Sequence, residues 1–435
     1  MSEMNKRVVK LALPNIITNI TVPLLGMVDL AIVGHIGDQT HIGAIAIGTT
    51  IFNFIYWNFG FLRMGTSGFT AQAYGAKNLK ESINILVRGC TLALTFALLL
   101  IILQIPISRF SFWIVNGSSE MERLAYDYFK IRIWAAPATL GLYAFKGWYI
   151  GMQNSKTPMF IAIFINLFNI AFSLFFVIVL GMQIEGVAWG TLLAQWCGLI
   201  AAIVYWLIYY KKLSHYINLK AALHLNELKY FFRVNGDIFL RSLCLVIVFT
   251  FIPIAGANMG DDILAINTLL LQYFTIFSYM MDGFAYAGES LAGKYIGAKD
   301  IASCKLAVKN IFSWGTALTI AFTLIYILWG EDLLILFTDK KDIIASAHPY
   351  YYWICLVPIA GFSAFLWDGI LIGATAGKIM RNCIFVATAC FFACYYALFP
   401  SMHNHALWLA LLIFLILRGV LQHYATRKYI YPNIA

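Results

Sequence analysis

The chain has 435 residues, of which 61% are apolar and only 11% charged. A soluble globule carries about 25% charged residues, so water is not the main solvent of this protein and the soluble enzyme classes are excluded. The net charge of +10 would fit a nucleic-acid partner only if the Lys and Arg shared one soluble face, and they fall instead in alternate short loops.

A hydropathy window of about 19 residues predicts twelve membrane helices, at 9–35, 43–66, 84–106, 124–150, 157–180, 186–209, 231–256, 263–290, 306–329, 345–373, 382–400 and 406–426. Lys6, Arg7 and Lys10 precede the first, with no cleavable signal, so this span is expected to stay. Gly75-Ala76-Lys77 recurs as Gly297-Ala298-Lys299, and Ile150-Gly151 with Lys156 as Ile372-Gly373 with Lys378, all at an offset of 222. The chain is therefore two copies of one six-helix unit, the usual build of a secondary transporter. The one long polar connection, Lys211 to Lys229, has an amphipathic stretch at 219–228. It sets the expected division: an N-terminal lobe at 1–212, a cytoplasmic linker at 213–229 and a C-terminal lobe at 230–435. Eight cysteines fall in or beside apolar segments and read as small core residues.

Positive residues are retained on the cytoplasmic side. Both termini, the linker and the loops with Lys77, Lys80, Lys156, Lys294, Lys299, Lys378 and Arg381 share one side. The opposite loops at 37–41, 181–185, 258–262 and 401–405 contain no Lys or Arg, whereas Arg109, Arg123, Lys340 and Lys341 are exceptions with acidic neighbours. The expected location is the cytoplasmic (inner) membrane, multi-pass, with both termini cytoplasmic. Six spans per copy is an even number, so the lobes are expected to be related by a pseudo-twofold axis along the membrane normal.

A carboxylate at a helix centre costs about 2.5–3.5 kcal/mol on insertion scales. Asp29 lies six residues from the outer end of the first span, about 9 Å deep, beyond the reach of its short side chain to water. It reads as a proton site, with a polar clasp to a neighbouring helix as the structural alternative. Pro14 and Pro23 in the same span each remove a backbone hydrogen bond, and a moving hinge and a static kink fit equally. In the second copy Asp282 lies about eight residues from the inner end of its span and Arg241 about ten from that of the preceding one. Their matching depths predict an ion pair that offsets the cost of each charge. Glu289 and Asp368 are expected near the inner interface, reaching water or pairing with Lys294 or Lys378.

Several segments together resemble the multidrug and toxic compound extrusion (MATE) transporters of the DinF subfamily. They are 20–29, Gly68-Phe69-Thr70-Ala71-Gln72-Ala73-Tyr74-Gly75-Ala76-Lys77, Asp282-Gly283-Phe284-Ala285-Tyr286-Ala287 with Glu289, and Asp368-Gly369 leading to Ile372-Gly373-Ala374-Thr375. The resemblance implies an all-α polytopic membrane protein, with twelve transmembrane helices in two six-helix lobes around a V-shaped central cleft that opens alternately to either side. It implies export of small organic, cationic or amphiphilic substrates in exchange for inward H+ or Na+. Asp29 resembles the first-helix aspartate of cation coupling, Asn169 the fifth-helix asparagine of that cluster and Thr191 its sixth-helix hydroxyl. Many relatives place an aspartate four residues after that asparagine, and here the position is Ser173. With that second carboxylate missing from the cluster, H+ is favoured over Na+, although Na+ near Asp29 stays open. Asp368 resembles a tenth-helix acid used by other branches.

No enzymatic role, cofactor, resident metal or obligate protein partner is expected; the partners are small organic substrates and membrane lipid. Trp57, Phe61, Tyr143, Tyr273 and Phe277 are candidates to face flat cations, though packing explains them equally well. The alternative function is a lipid-linked oligosaccharide flippase of related architecture, with Arg63, Lys146 and Arg241 holding a pyrophosphate. His403 and His405 lack a partnered acid for a metal site, and no P-loop pattern supports ATP drive.

Overall fold

A computed structural model describes residues 3–34, 39–115, 118–338 and 340–434. Every regular element among them is helical. The first half comprises α1 (Glu3–Gly34), α2 (Gln39–Asn58), α3 (Gly60–Gly75), α4 (Leu79–Ile102), α5 (Gln104–Val115), α6 (Ser119–Arg132), α7 (Ala136–Gly151), α8 (Lys156–Leu174) and α9 (Ile184–Tyr209). After the short α10 (Leu219–Ala222) come α11 (Leu225–Met259), α12 (Asp261–Gly297), α13 (Ile301–Phe337), α14 (Lys341–Gly373), α15 (Gly377–Met402) and α16 (Asn404–Ala425). Among the described residues, 11 stretches are long and apolar enough to cross a membrane. The expected span at 124–150 falls on α6 and α7, which a short 3-10 turn at Ile133–Ala135 separates and Pro137 restarts. The chain thus has the twelve-span all-α architecture expected from its sequence.

The 222-residue repeat is written into the backbone. After α3, the amides of Ala76, Lys77 and Asn78 turn back to the carbonyls of Gln72, Tyr74 and Ala73; after α12, those of Ala298, Lys299 and Asp300 turn back to Lys294, Ile296 and Tyr295. Lys77 and Lys299 both adopt φ 56°, closing their helices in the left-handed conformation. Gln153 and Thr375, again 222 apart, do the same after α7 and α14 at φ 64° and 52°. The next helices start alike: Asn78 Oδ1 accepts from the Glu81 amide at 3.0 Å and Asp300 Oδ1 from the Ser303 amide at 2.9 Å. Hydrogen bonds from the Ser303 side chain and backbone hold the Asp300 carboxyl below the usual carboxylate range.

Helix packing repeats too. A Cβ on Gly147 of α7 would stand 2.3 Å from the Arg63 carbonyl of α3, and one on Gly369 of α14 would stand 2.1 Å from the Ala285 carbonyl of α12. Only glycine allows these backbones to meet, and both contacts lie at the same place in the two copies.

The helices divide into two compact units, one of Ile17–Phe232 and one of Met1–Ile16 with Arg233–Ala435. This differs from the expected lobe of 1–212. The first four turns of α1 bury Val8, Leu11, Ala12 and Ile16 in one core with Phe277, Met281 and Phe284 of α12. Arg7 Nη1 also donates to Tyr295 Oη at 3.2 Å. Sequence order assigns α1 to the first copy, whereas its apolar face is shared. The linker is also more structured than expected: Arg88 Nε donates to the Ala222 carbonyl at 2.7 Å, Ala222 is fully buried, and Arg88 pairs with Glu81.

Gly147→Ala and Gly369→Ala are expected to lower stability by about 1–3 kcal/mol each, the cost of overpacking a close contact. Gly236→Ala, where a Cβ meets nothing within 4 Å, is expected to leave the thermal midpoint unchanged or slightly raised. Equal midpoints for all three in detergent would contradict the proposed helix contacts.

Candidate functional site

Within the unit of Ile17–Phe232, α8 turns Asn166 and Asn169 to one face, three residues apart. Asn166 Nδ2 donates to the Thr21 carbonyl of α1 at 2.9 Å, and Asn169 Nδ2 donates to Thr191 Oγ1 of α9 at 2.9 Å. Gly190 brings α9 against α8, because a Cβ there would lie 2.4 Å from Ser173 Oγ. Asp29 of α1 is 3% exposed, and its carboxyl lies in hydrogen-bonding range of Thr191 and Asn169. The structure therefore brings together the three residues that the sequence singles out.

Counting donors exposes an imbalance. Thr191 Oγ1 spends its one proton on the Val187 carbonyl at 3.1 Å. Among the described residues, Asp29 Oδ1, Asn169 Oδ1 and Ser173 Oγ have no hydrogen-bond partner. Two of these three atoms, on Asp29 and Asn169, are pure acceptors when the acid is ionised. A buried acceptor without a donor costs about 1–3 kcal/mol, and a proton on Asp29 or a hard cation among these oxygens would relieve it. No cation among the described residues forms a direct ion pair with Asp29.

Arg132, at the end of α6, supplies the opposing field. It is 8% exposed, donates to Tyr128 Oη, and its guanidinium lies 5.2 Å from the Phe52 ring centre. The sequence reading passed over it. The signal was present, because Arg132 stands eight residues into the span predicted at 124–150, within about 3 Å of the depth of Asp29.

The second set of charges lies inside the other unit, and here the structure corrects the expectation. Arg241 of α11 donates to Asp368 of α14. Arg418 Nη2 of α16 donates to the same carboxylate oxygen at 2.5 Å, and Gln422 Nε2 donates to the other at 2.6 Å. Asp368 is 5% exposed, Arg418 2% and Gln422 0%, so Asp368 is a buried, doubly clamped anion rather than an interfacial acid paired with Lys294 or Lys378. Asp282 is partly exposed on α12, and its field reaches Arg418. Glu289 is fully buried, with its backbone carbonyl packed against Gly373. Arg418 and Gln422 were not singled out from the sequence, although Arg418 lies eight residues from the inner end of its predicted span, at the depth of Asp282.

Other expected residues are dispersed. Tyr273 and Phe277 are core residues at 1% and 0% exposure, and Tyr273 Oη donates to the Gly330 carbonyl at 2.7 Å. Trp57 is half exposed, whereas Phe61 is buried. Arg241 is engaged by Asp368. Pro14 is buried within the continuous α1, while the side chain of Pro23 lies outside the described residues.

Asp368→Asn is expected to lower stability by about 3–5 kcal/mol, because it leaves two guanidinium groups buried without their counter-charge. A double-mutant cycle with Arg241→Gln, read by thermal denaturation in detergent, should give a coupling of about 0.5–3 kcal/mol. Strictly additive losses would contradict the contact.

The MatE family model matches the chain twice, over residues 14–175 and 238–395, in register with the internal repeat. The chain is 36% identical over 424 residues to the DNA damage-inducible protein F of Escherichia coli (strain K12), covering 97% of this chain and 91% of that protein. It is 22% identical over 356 residues to the Multidrug resistance protein NorM of Aliivibrio fischeri, covering 78% of this chain and 75% of the relative. A crystal structure of MATE in the straight conformation shares its fold with a TM-score of 0.88 at 18% identity, covering 99% of this chain and 97% of that one. With matches along both halves of its length, the chain belongs to the MatE family of multidrug and toxic compound extrusion transporters.

Proposed function

We propose that this transporter exports organic, cationic or amphiphilic compounds in exchange for an inward cation, with Asp29 as the main coupling acid. The observation that carries the proposal is that Asp29 is buried beside Asn169 and Thr191 with no direct ion pair, while its Oδ1 and the Oδ1 of Asn169, both acceptors, lack a hydrogen-bond partner among the described residues. Such a site gains stability when a positive ion arrives and loses it when the ion leaves. The E. coli and A. fischeri relatives, the second named as a multidrug resistance protein, support the transport class.

A proton fits better than Na+, because the cluster offers one carboxylate and otherwise neutral oxygens. Protonated, Asp29 becomes a donor for Asn169 Oδ1 or Thr191 Oγ1 and balances the count. The loss of charge weakens the hold on a cationic substrate. Pro14 and Pro23 are the hinge candidates in this account. Their support is that α1 passes from one compact unit to the other between Ile16 and Ile17, so bending between the prolines couples the state of Asp29 to alternating access. Each charge moving inward gains about 2.3 kcal/mol per 100 mV, to which a pH gradient adds.

Asp368 plays no coupling role in this proposal. Two guanidinium groups and an amide already satisfy both of its oxygens. The proposed setting is the inner membrane with both termini cytoplasmic, supported by the Lys and Arg of the alternate loops.

In proteoliposomes loaded with a cationic dye, an imposed pH gradient is expected to drive flux by the native chain, and an equal Na+ gradient to drive less. Asp29→Asn is expected to remove gradient-driven flux, roughly tenfold or more, while leaving the thermal midpoint near native. Flux indifferent to both gradients and to the substitution would refute the antiport reading.

A further inference from the structure

A groove of about 770 Å³ opens in the unit of Met1–Ile16 and Arg233–Ala435, between the start of α13, the end of α14, the end of α16 and the C-terminal turn. Its wall is basic. Lys305 and Lys309 point from one face of α13, one turn apart, and Arg427 converges from beyond α16. Among the described residues, no carboxylate lines the groove and none of these three cations has an ion-pair partner. Like charges at i,i+4 repel, so an anion between them would stabilise the arrangement.

The floor is apolar. Phe312 and Trp367 lie 5.1 Å apart, Trp367 is 3% exposed, and Tyr431 sits beneath Lys305 with Nζ 5.4 Å from its ring centre. Lys305 and Phe312 are seven residues apart on α13, about 10 Å along its axis. That is a step from a charged entrance to an apolar depth, located where three membrane-crossing helices end together. The first copy has no counterpart: the positions 222 residues earlier are Ile83 for Lys305, Val87 for Lys309 and Tyr205 for Arg427. The repeated fold therefore does not require these charges, and something specific to the second copy does.

We propose that this groove holds an anionic phospholipid of the surrounding membrane, its phosphate between Lys305, Lys309 and Arg427 and its acyl chain against Phe312 and Trp367. Basic pockets between membrane helices take lipid headgroups in this way. A free anion would satisfy the cations but leave the aromatic floor without purpose, whereas a zwitterionic lipid would bring a second positive charge to a basic wall.

The test titrates the detergent-solubilised full chain with phosphatidylglycerol or phosphatidylcholine and counts retained lipid by native mass spectrometry. Phosphatidylglycerol should be held roughly tenfold more tightly than phosphatidylcholine. The triple variant Lys305→Gln, Lys309→Gln, Arg427→Gln should lose at least about tenfold in that affinity, since each basic residue near a membrane surface adds several-fold. The charge-keeping pair Lys305→Arg, Lys309→Arg should retain it, as should Lys211→Gln, Lys212→Gln, which do not line the groove. The proposal is overturned by equal affinity for the two lipids, by native affinity in the triple variant, by loss in the charge-keeping pair, or by an equal loss in the linker variant. Displacement of the lipid by equimolar inorganic phosphate would also overturn it, marking a simple anion site.

Discussion

A carboxylate removed from water must be matched by positive charge and donors, or it must be free to change its own charge. This chain contains both outcomes. Asp368 is matched, with two guanidinium groups on one oxygen and an amide on the other. Asp29 is buried as deeply but shares its surroundings with acceptors, and its nearest identified opposing field comes from an arginine engaged with Tyr128 and Phe52. The first arrangement locks; the second is the one we propose to bind a positive ion. That contrast underlies the assignment of coupling to one acid and structure to the other.

The two copies share a backbone but not a chemistry. Helix ends, left-handed caps and glycine contacts recur at an offset of 222, because these features set how helices start, stop and approach. The polar clusters do not recur: the position 222 after Asp29 is Phe251, and that 222 before Asp368 is Lys146. Duplication supplied two similar scaffolds, and side-chain divergence gave one a titratable site and the other a clamped ion pair and a basic groove.

Much of the fold was legible in the sequence because membrane spans announce themselves by length and apolar composition, and because Gly75-Ala76-Lys77 and its copy mark the same turn twice. The grouping of Asp29, Asn169 and Thr191 followed from family resemblance, and the structure places them together. What stayed hidden depends on direction around a helix rather than depth along it. Depth made Asp282 a fair partner for Arg241 and gave no sign that the side chain donates to Asp368 on α14. Arg132 was overlooked because a hydropathy window averages it with the apolar residues that follow. The division of α1 between two units was also invisible, since the residues that bury Val8 and Leu11 lie more than 260 positions away on α12.

The most direct measurement of the central claim is ion release on substrate binding, followed in weakly buffered detergent solution with a pH electrode and a Na+ indicator. If Asp29 is the coupling acid, adding a cationic dye releases about one proton, or failing that one Na+, per chain from the native protein. Asp29→Asn then binds dye with no release. Release of the same amount by Asp29→Asn would contradict the account and move the coupling site elsewhere in the chain.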